Sequence, residues 1–193
     1  MAAAGDLVVE DGTGLDDANT YVSIADGDTY HGLFGNEVWT DATDDEKATA
    51  LVNATQYVDF RWRFLGCPAY PATATVLGQA LQWPRDNGQG GSLYDNRGNE
   101  IPPDTLPFQV VNATLEYALV YLTTGRLLKD PEVPDAAGRF VTLKREKLGP
   151  LEEETRYSDT KGTRTVYKYA TADRILRESG LVVPGTGDRS VRA

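Results

Sequence analysis

The feature that most constrains the fold is a helix signal that begins at Thr43. Thr43 and Glu46 have the spacing of a capping box, in which each side chain bonds a free backbone donor of the other residue. From Ala48 to Leu65, apolar residues recur at intervals of three and four, which lays one apolar stripe along a helix. Gly66 ends this pattern. The sequence therefore predicts a core helix over about residues 43–65.

Four further helices are predicted from caps, stop residues and apolar periodicity. They cover about residues 24–34, 72–82, 107–124 and 172–179. Between Leu93 and Ile101, asparagine, aspartate and glycine lie between apolar flanks, which predicts a small hairpin or extended loop. A short strand is expected at Leu7–Glu10.

The fold class that follows is mainly α. Residues 1–138 are predicted to form a small helical bundle, with the hairpin or loop inserted at about residues 84–104. After Pro134, apolar residues alternate with charges in short stretches such as 141–151 and 165–169, which look extended. Residues 139–193 are therefore predicted to form an extended C-terminal arm that contains short strands and the terminal helix.

Charge is distributed unevenly between these two parts. Residues 1–138 contain 7 Lys and Arg against 21 Asp and Glu, whereas residues 139–193 contain 12 against 8. The net charge of −10 argues against an extended duplex-binding surface, which needs clustered cations. Two interpretations of the tail stay open: an ordinary solvated tail, or a basic arm that lies on an acidic neighbour.

No enzyme class is indicated by the candidate nucleophiles and bases. The single histidine, His31, is expected at a surface or interface, and the single cysteine, Cys67, is expected to be a half-buried, unreactive thiol. No phosphate-binding loop, dinucleotide fingerprint or metal-ligand spacing occurs. We expect no catalytic residue, no metal and no cofactor, although a carboxylate-based hydrolase remains a distant alternative. Neither a membrane helix nor a secretory signal is apparent, so a cytoplasmic protein is expected.

Aromatic and basic residues alternate at two places. At Phe60–Phe64, Trp62 falls on the core stripe, so Arg61 and Arg63 are predicted to pair with acidic neighbours. The second place is the tail, with Tyr157 and the segment Tyr167–Tyr169. Such residues can stack on single-stranded nucleic acid or anchor a protein interface, and we favour the protein interface.

Several segments, in order, resemble a family of phage proteins often labelled DnaT-like single-stranded-DNA-binding, whose members look like head-to-tail connector adaptors of tailed bacteriophages. The matching segments span about residues 9–169: Val9–Gly14, Ala18–Ser23, Ala54–Asp59, Arg63–Gly66, Gln79–Arg85, Ile101 with Pro102 and Pro107, Ala113–Ala118 and Val141–Gly149.

This resemblance implies a structural virion protein that forms a ring of about twelve copies beneath the portal protein, extends the DNA channel and contacts a downstream neck or tail-completion protein. It would be found in the virion neck, and in the host cytoplasm during assembly, with no membrane partner. An acidic channel would let DNA pass without sticking. The alternative is a single-stranded-DNA-binding replication accessory protein.

The resemblance also implies roles for particular residues. The candidates for portal or intersubunit contact are Lys144, Arg145, Lys147, Tyr157, Tyr167, Lys168 and Tyr169. A structural signature is expected at a rigid turn, with a buried tryptophan and an arginine available for an ion pair. Its residues are Trp83, Pro84 and Arg85, together with Trp62 of the core helix.

Overall fold

The computed structural model describes residues 2–71, 78–127, 141–147, 152–157 and 169–184, the segments 141–147 and 152–157 by their backbone. The chain divides into two compact units. The first, here called the body, consists of Met1–Leu128 and Lys168–Gly187. The second consists of Lys129–Tyr167 and Asp188–Ala193. Most of the second unit is therefore an insertion between two parts of the body.

The described residues form five α-helices and three antiparallel pairs of short strands. The helices are α1 (Ile24–Phe34), α2 (Glu37–Asp41), α3 (Asp44–Arg61), α4 (Phe108–Thr124) and α5 (Ala170–Ser179). The strand pairs are β1 (Cys67–Pro68) with β2 (Arg85–Asp86), β3 (Leu93–Tyr94) with β4 (Glu100–Ile101), and β5 (Val141–Lys147) with β6 (Glu152–Tyr157). A single 3-10 turn, Ala4–Asp6, precedes them.

The body is mainly helical, as the sequence predicted. α3 packs against α4, and α4 packs against α5. α3 and α4 bury small and branched apolar residues, among them Ala54, Val58, Ala113 and Leu115. Full burial of one branched side chain contributes about 1.5–3 kcal/mol. The helix pair α3 and α4 is therefore the main source of the hydrophobic core.

The predicted helix ends follow local rules. The Thr43 hydroxyl accepts a hydrogen bond from the Glu46 amide, and the Glu46 carboxylate accepts one from the Thr43 amide at 2.8 Å, which confirms the capping box. Gly35 and Gly125 cap α1 and α4 in the left-handed conformation, with φ of 65° and 72°.

One helix end differs from its prediction, because α3 ends at Arg61 and not at Leu65. The chain beyond α3 pairs instead with the segment that follows α5. The Leu65 amide donates to the Leu181 carbonyl, and the Val183 amide donates to the Arg63 carbonyl, both at 2.8 Å. This tertiary pairing satisfies the backbone groups that a longer helix would have used.

The predicted helix at 72–82 is not present in its described part, since residues 78–82 are irregular with bends at 80–82. Residues 72–77 lie outside the described residues. The proposed strand at 165–169 lies outside them as well, apart from Tyr169. The hairpin between Leu93 and Ile101 is confirmed as β3 and β4. At Leu7–Glu10 the structure has one bridge, between Val9 and Thr20. α2 was not predicted.

The division of the chain differs from the composition boundary at residue 139. Helix α5, which the sequence assigned to the arm, belongs to the body. Its residues Ala172 and Leu176 are fully buried, and the helix packs on α4. The apolar residues of α5 therefore place it in the body, although the sequence around it is basic. No helix in the described part of the chain is long and apolar enough to cross a membrane.

Candidate interaction surfaces

The second unit contains the hairpin of β5 and β6, in which a basic strand pairs with an acidic one. β5 carries Lys144, Arg145 and Lys147, whereas β6 begins with three glutamates. In the register of the hairpin, Arg145 lies opposite Glu154 and Lys147 lies opposite Glu152. Opposite charges at such positions contribute about 0.2–1 kcal/mol each. The hairpin register is therefore supported by charge.

One position in this register has the opposite character. Glu146 lies directly opposite Glu153, and like charges at facing positions are destabilising. The second unit as a whole contains 10 Lys and Arg against 9 Asp and Glu, so it is almost neutral. The second unit is less basic than the predicted arm because it also contains Asp130, Glu132 and Asp135, and because Lys168, Arg174 and Arg177 belong to the body.

Four of the seven candidate contact residues belong to the β5–β6 hairpin. Three of them, Lys144, Arg145 and Lys147, lie on β5, and Tyr157 ends β6 opposite Val141. Tyr167 and Lys168 lie outside the described residues.

Tyr169 is part of the body and lies at the N-cap of α5. Its hydroxyl donates to the Leu127 carbonyl at 2.7 Å, and its ring lies 5.6 Å from that of Tyr57 and 5.7 Å from that of Tyr117. Leu127 follows α4, so this hydrogen bond joins the two chain segments that lead into and out of the second unit. Tyr169 therefore fixes the base of the insertion.

Next to this base, a buried ion pair joins α5 to α3. Arg61 Nη2 lies 2.8 Å from Asp173 Oδ2, and the two side chains are 7% and 4% exposed. Tyr117 donates its hydroxyl to the other oxygen of Asp173 at 2.6 Å, and Trp62 donates its indole N–H to Tyr117 at 3.0 Å. All three helices α3, α4 and α5 thus contribute to one hydrogen-bonded cluster.

Aromatic rings surround the cations of this cluster. The Arg61 guanidinium lies 5.5 Å from the ring of Tyr57 and 5.4 Å from that of Trp62, and Arg177 lies 5.7 Å from Trp62. Burial and the hydrogen bond to Asp173 raise the pKa of Tyr117, so its hydroxyl stays a donor. The predicted pairing of Arg61 with an acid is confirmed. Trp62 lies at the C-cap of α3, buried as expected.

The expected turn at Trp83–Arg85 lies within the body. The Trp83 ring is fully buried, and the bond to Pro84 is cis. Arg85 donates to the carbonyls of Leu65 and Gly66 at 2.7 Å and to that of Gln82 at 3.0 Å. An ion pair was expected for Arg85, but its guanidinium instead donates hydrogen bonds to backbone carbonyls of two loops.

A second buried polar cluster supports that turn. The Tyr21 hydroxyl donates to Asp59 at 2.6 Å and accepts from the Trp83 amide at 3.2 Å. The other oxygen of Asp59 accepts from the Gln82 amide at 3.1 Å. Burial raises the pKa of Asp59 to about 6, against the effect of these hydrogen bonds, which stabilise the ionised form.

A buried carboxylate organises the N-terminal loop. Glu10 accepts backbone hydrogen bonds from Gly12 at 2.9 Å, Gly14 at 2.8 Å and Leu15 at 3.0 Å. Gly12 has a φ of 101°, and a Cβ there would lie 2.1 Å from the Asp104 carbonyl oxygen. The segment Val9–Gly14 is therefore needed for loop geometry in this structure.

Three exposed apolar side chains lie close to one another in the sequence, at the end of α1 and the start of α2. Leu33 is 82% exposed, Phe34 is 65% exposed, and Val38 follows after the turn at Gly35. Large apolar groups that remain in water are typical of protein contact sites when they lie together. We call Leu33, Phe34 and Val38 the apolar stretch.

The candidate reactive residues differ from their predictions. His31 is fully buried, so the surface or interface prediction is wrong: its ring packs 4.4 Å from Trp39 and its Nδ1 lies 2.9 Å from Asn36. Burial lowers the pKa of His31 to about 4, so it is neutral near pH 7. Cys67 is exposed and not half-buried. Within the described ranges, no group of three or more His, Cys, Asp or Glu side chains could hold a metal ion.

Sequence reasoning missed the two partners in the buried clusters, Asp173 and Asp59. Asp173 lies in the first turn of α5, where acids are common for local reasons, and it is 112 residues from Arg61. No local signal distinguishes such an aspartate from an exposed one. For Glu10 a signal was available, since an acid before two glycines is suited to binding loop amides.

Comparison with known proteins gave one match. A family model with the provisional description DnaT-like ssDNA binding protein matches residues 5–192. No curated protein matches the chain, and no solved structure matches it.

Proposed function

The chain belongs to the DnaT-like ssDNA-binding protein family, and within that family we propose that it is a structural subunit of a tailed-phage particle. It acts as a head-to-tail connector adaptor. Copies of it form a ring below the portal protein, extend the DNA channel and contact the next neck or tail component. It works by assembly and without catalysis.

The observation that carries this proposal is the charge of the body. The body has 9 Lys and Arg against 20 Asp and Glu, a net charge of −11. Affinity for a nucleic-acid backbone comes mainly from clustered cations that displace counterions. Of the body's cations, Arg61 and Arg85 are buried and used internally. A surface of this charge repels phosphates, so it favours the passage of DNA over the binding of DNA.

The apolar stretch supports a protein partner. Leu33 and Phe34 lie at the end of a capped helix and are largely exposed to water. Burying such side chains against another protein contributes about 25 cal/mol per Å² of apolar area. A subunit that contacts proteins on several sides needs positions of this kind.

The hydrogen bond at the base of the insertion supports a body that folds independently of the second unit. Tyr169 joins the two segments on either side of the second unit through its bond to Leu127. The buried pair of Arg61 and Asp173 holds α5, which begins at once after Tyr169. The body can therefore stay folded while the second unit contacts a neighbour.

Native mass spectrometry of the purified chain, alone and with the portal ring of the same virus, tests the proposal. We expect a closed ring at high concentration or a layer bound to the portal. A chain that stays monomeric under both conditions contradicts it. Leu33→Asp should weaken assembly or portal binding by at least about tenfold, because a charge would be buried at the contact. Ala25→Asp, an exposed position on the same helix, is the matched control and should have no effect.

A second candidate is single-stranded-DNA binding, which the family description and the three cations of β5 favour. Its test is the affinity for a labelled oligonucleotide across a salt series. Real phosphate contacts give a linear fall of the logarithm of affinity with that of salt, with a slope of about −0.7 per contact. A steep slope that disappears when the β5 cations are replaced by glutamine would favour this candidate over the adaptor.

A further inference from the structure

We infer that the hairpin of β5 and β6 joins neighbouring copies of this chain edge to edge, with β6 of one copy beside β5 of the next. The inference rests on the proposed ring and adds to it the segment that closes the ring. The partner is a second copy, and the interface is a continuous antiparallel sheet of alternating basic and acidic strands.

The first reason is that the hairpin is incomplete by itself. β5 and β6 form a sheet of only two strands, and neither has another partner strand in the described part of the chain. A two-stranded sheet is at most marginally stable in water. A strand edge without a partner presents unpaired N–H and C=O groups, which are a template for another strand.

The second reason is the charge of each strand, which selects the partner. β5 has a net charge of +2 and β6 a net charge of −2. Pairing of two β5 edges, or of two β6 edges, would bring like charges together. Only the pairing of β6 with a neighbour's β5 brings opposite charges together. This contact is head-to-tail, and head-to-tail contacts form rings when the rotation between copies closes.

The third reason is strand direction. In a ring of about twelve copies, neighbouring copies differ by a small rotation, so their β5 strands run nearly parallel. Within each hairpin β6 runs antiparallel to β5. β6 is therefore antiparallel to the β5 of the next copy as well, so the same ladder continues across the contact. Glu153, which faces Glu146 inside its own hairpin, would then have a basic strand on its other side.

Chain length allows this contact. Residues 128–140 lie between Leu127 and β5, and residues 158–168 lie between β6 and Tyr169. The shorter connection can span up to about 36 Å when extended. The connections therefore allow a contact with a neighbouring copy up to about that distance from Tyr169.

Nucleic acid is the less suitable occupant of this surface. Arg145 and Lys147 each have a glutamate directly opposite, and the acidic strand lies about 4.8 Å away along the whole length of β5. An acidic strand this close to β5 repels phosphates. The hairpin therefore has no surface of one sign.

A charge-swapped hairpin tests the inference and leaves the hairpin itself intact. The variant carries Lys144→Glu, Arg145→Glu, Lys147→Glu, Glu152→Lys, Glu153→Lys and Glu154→Lys. Within each copy β5 and β6 still attract each other, and β6 still attracts the next swapped copy. Contact between a swapped and a wild-type copy, however, places like charges together.

We expect the swapped protein to form rings by itself. When mixed with wild type before assembly, the two should form separate rings, with mixed rings at least about 100-fold rarer than random mixing gives. Native mass spectrometry counts both species because their masses differ. Random mixing, or swapped copies that fail to assemble, would overturn the hairpin contact and leave the proposed ring function standing. Wild type that never assembles, with or without portal, overturns both.

The variant with only Lys144→Glu, Arg145→Glu and Lys147→Glu serves as a second measurement. Its β6 repels the next copy's β5, so ring formation should need at least about 100-fold more protein than wild type. If this variant keeps wild-type assembly and loses affinity for a labelled single-stranded oligonucleotide, the inference is overturned and β5 is a nucleic-acid surface.

Discussion

The charges of the body and those of the β5–β6 hairpin are paired in different ways. In the body, Arg61 and Asp173 come from helices that are far apart in the sequence, and both side chains are buried. In the hairpin, Arg145 and Glu154 face each other across adjacent strands. The buried charges have all their partners within the body, whereas a strand of one sign can pair on either of its edges. The first arrangement stabilises the interior, and the second can be shared between copies.

The largest test of this comparison is Asp173→Ala, which leaves Arg61 buried without its carboxylate. We expect the free energy of unfolding to fall by about 3–5 kcal/mol, since an uncompensated buried charge is costly. Urea unfolding followed by tryptophan fluorescence measures the body alone, because all three tryptophans are buried there. The control Glu178→Ala breaks an exposed ion pair, in which the Arg174 side chain is 75% exposed and the Glu178 side chain is 62% exposed. It should lower the free energy of unfolding by at most about 0.5 kcal/mol. Equal effects of the two variants would contradict the comparison.

The next largest effect is expected at Glu10, a buried carboxylate paired with amides instead of a cation. Glu10→Ala leaves three loop N–H groups without their acceptor, so the free energy of unfolding should fall by about 2–3 kcal/mol. Asp11→Ala is the matched control, because Asp11 is exposed, and should cost about 0.5 kcal/mol. The same urea measurement compares them, and a neutral Glu10→Ala would show that water replaces the carboxylate.

Asp59 sharpens the comparison through pH. Burial raises its pKa to about 6, above the value of about 4 in an unfolded chain. The folded body then holds this proton more tightly, so the stabilisation present at pH 4 is lost as pH rises through 6. In the wild type, the free energy of unfolding should therefore fall by up to about 2 kcal/mol between pH 4 and 6. In Asp59→Asn this fall should be absent.

His31 provides the control of opposite sign for that pH profile. Burial lowers its pKa to about 4, so its contribution is present above about pH 6.5 and is lost as pH falls towards 4. The wild-type contribution of His31 to the free energy of unfolding therefore rises with pH, and His31→Gln should remove this rise. Urea unfolding at each pH measures both, and an Asp59→Asn profile parallel to wild type would refute the raised pKa.

The smallest effect on the body is expected from the hairpin. Replacing Lys144, Arg145 and Lys147 together by glutamine should change the urea unfolding of the body by less than about 0.5 kcal/mol, because charged pairs between strands contribute little and lie in the other unit. A change of several kcal/mol would show that the two units unfold as one, and the contrast between their charges would lose its meaning.

Much of the body could be predicted from the sequence because its signals are local. The capping box at Thr43 and the glycines after α1 and α4 act within one helical turn, and the structure confirms them. The partner of Arg61 could be predicted only as an acid, since nothing near Asp173 marks it as buried. The surface prediction for His31 was wrong, because its burial depends on Trp39, which comes from the unpredicted helix α2.

Local sequence was thus sufficient for the class of the fold, the position of its long helices and the segregation of charge along the chain, since caps, periodicity and composition act over a few residues. The end of α3, the burial of Asp59 and Asp173 and the membership of α5 in the body required the tertiary structure. Each depends on groups from distant segments that compete for the same backbone or side-chain partner. The charge of β5 and β6 lies between these cases: their composition was visible in the sequence, but their register decides which charges face each other.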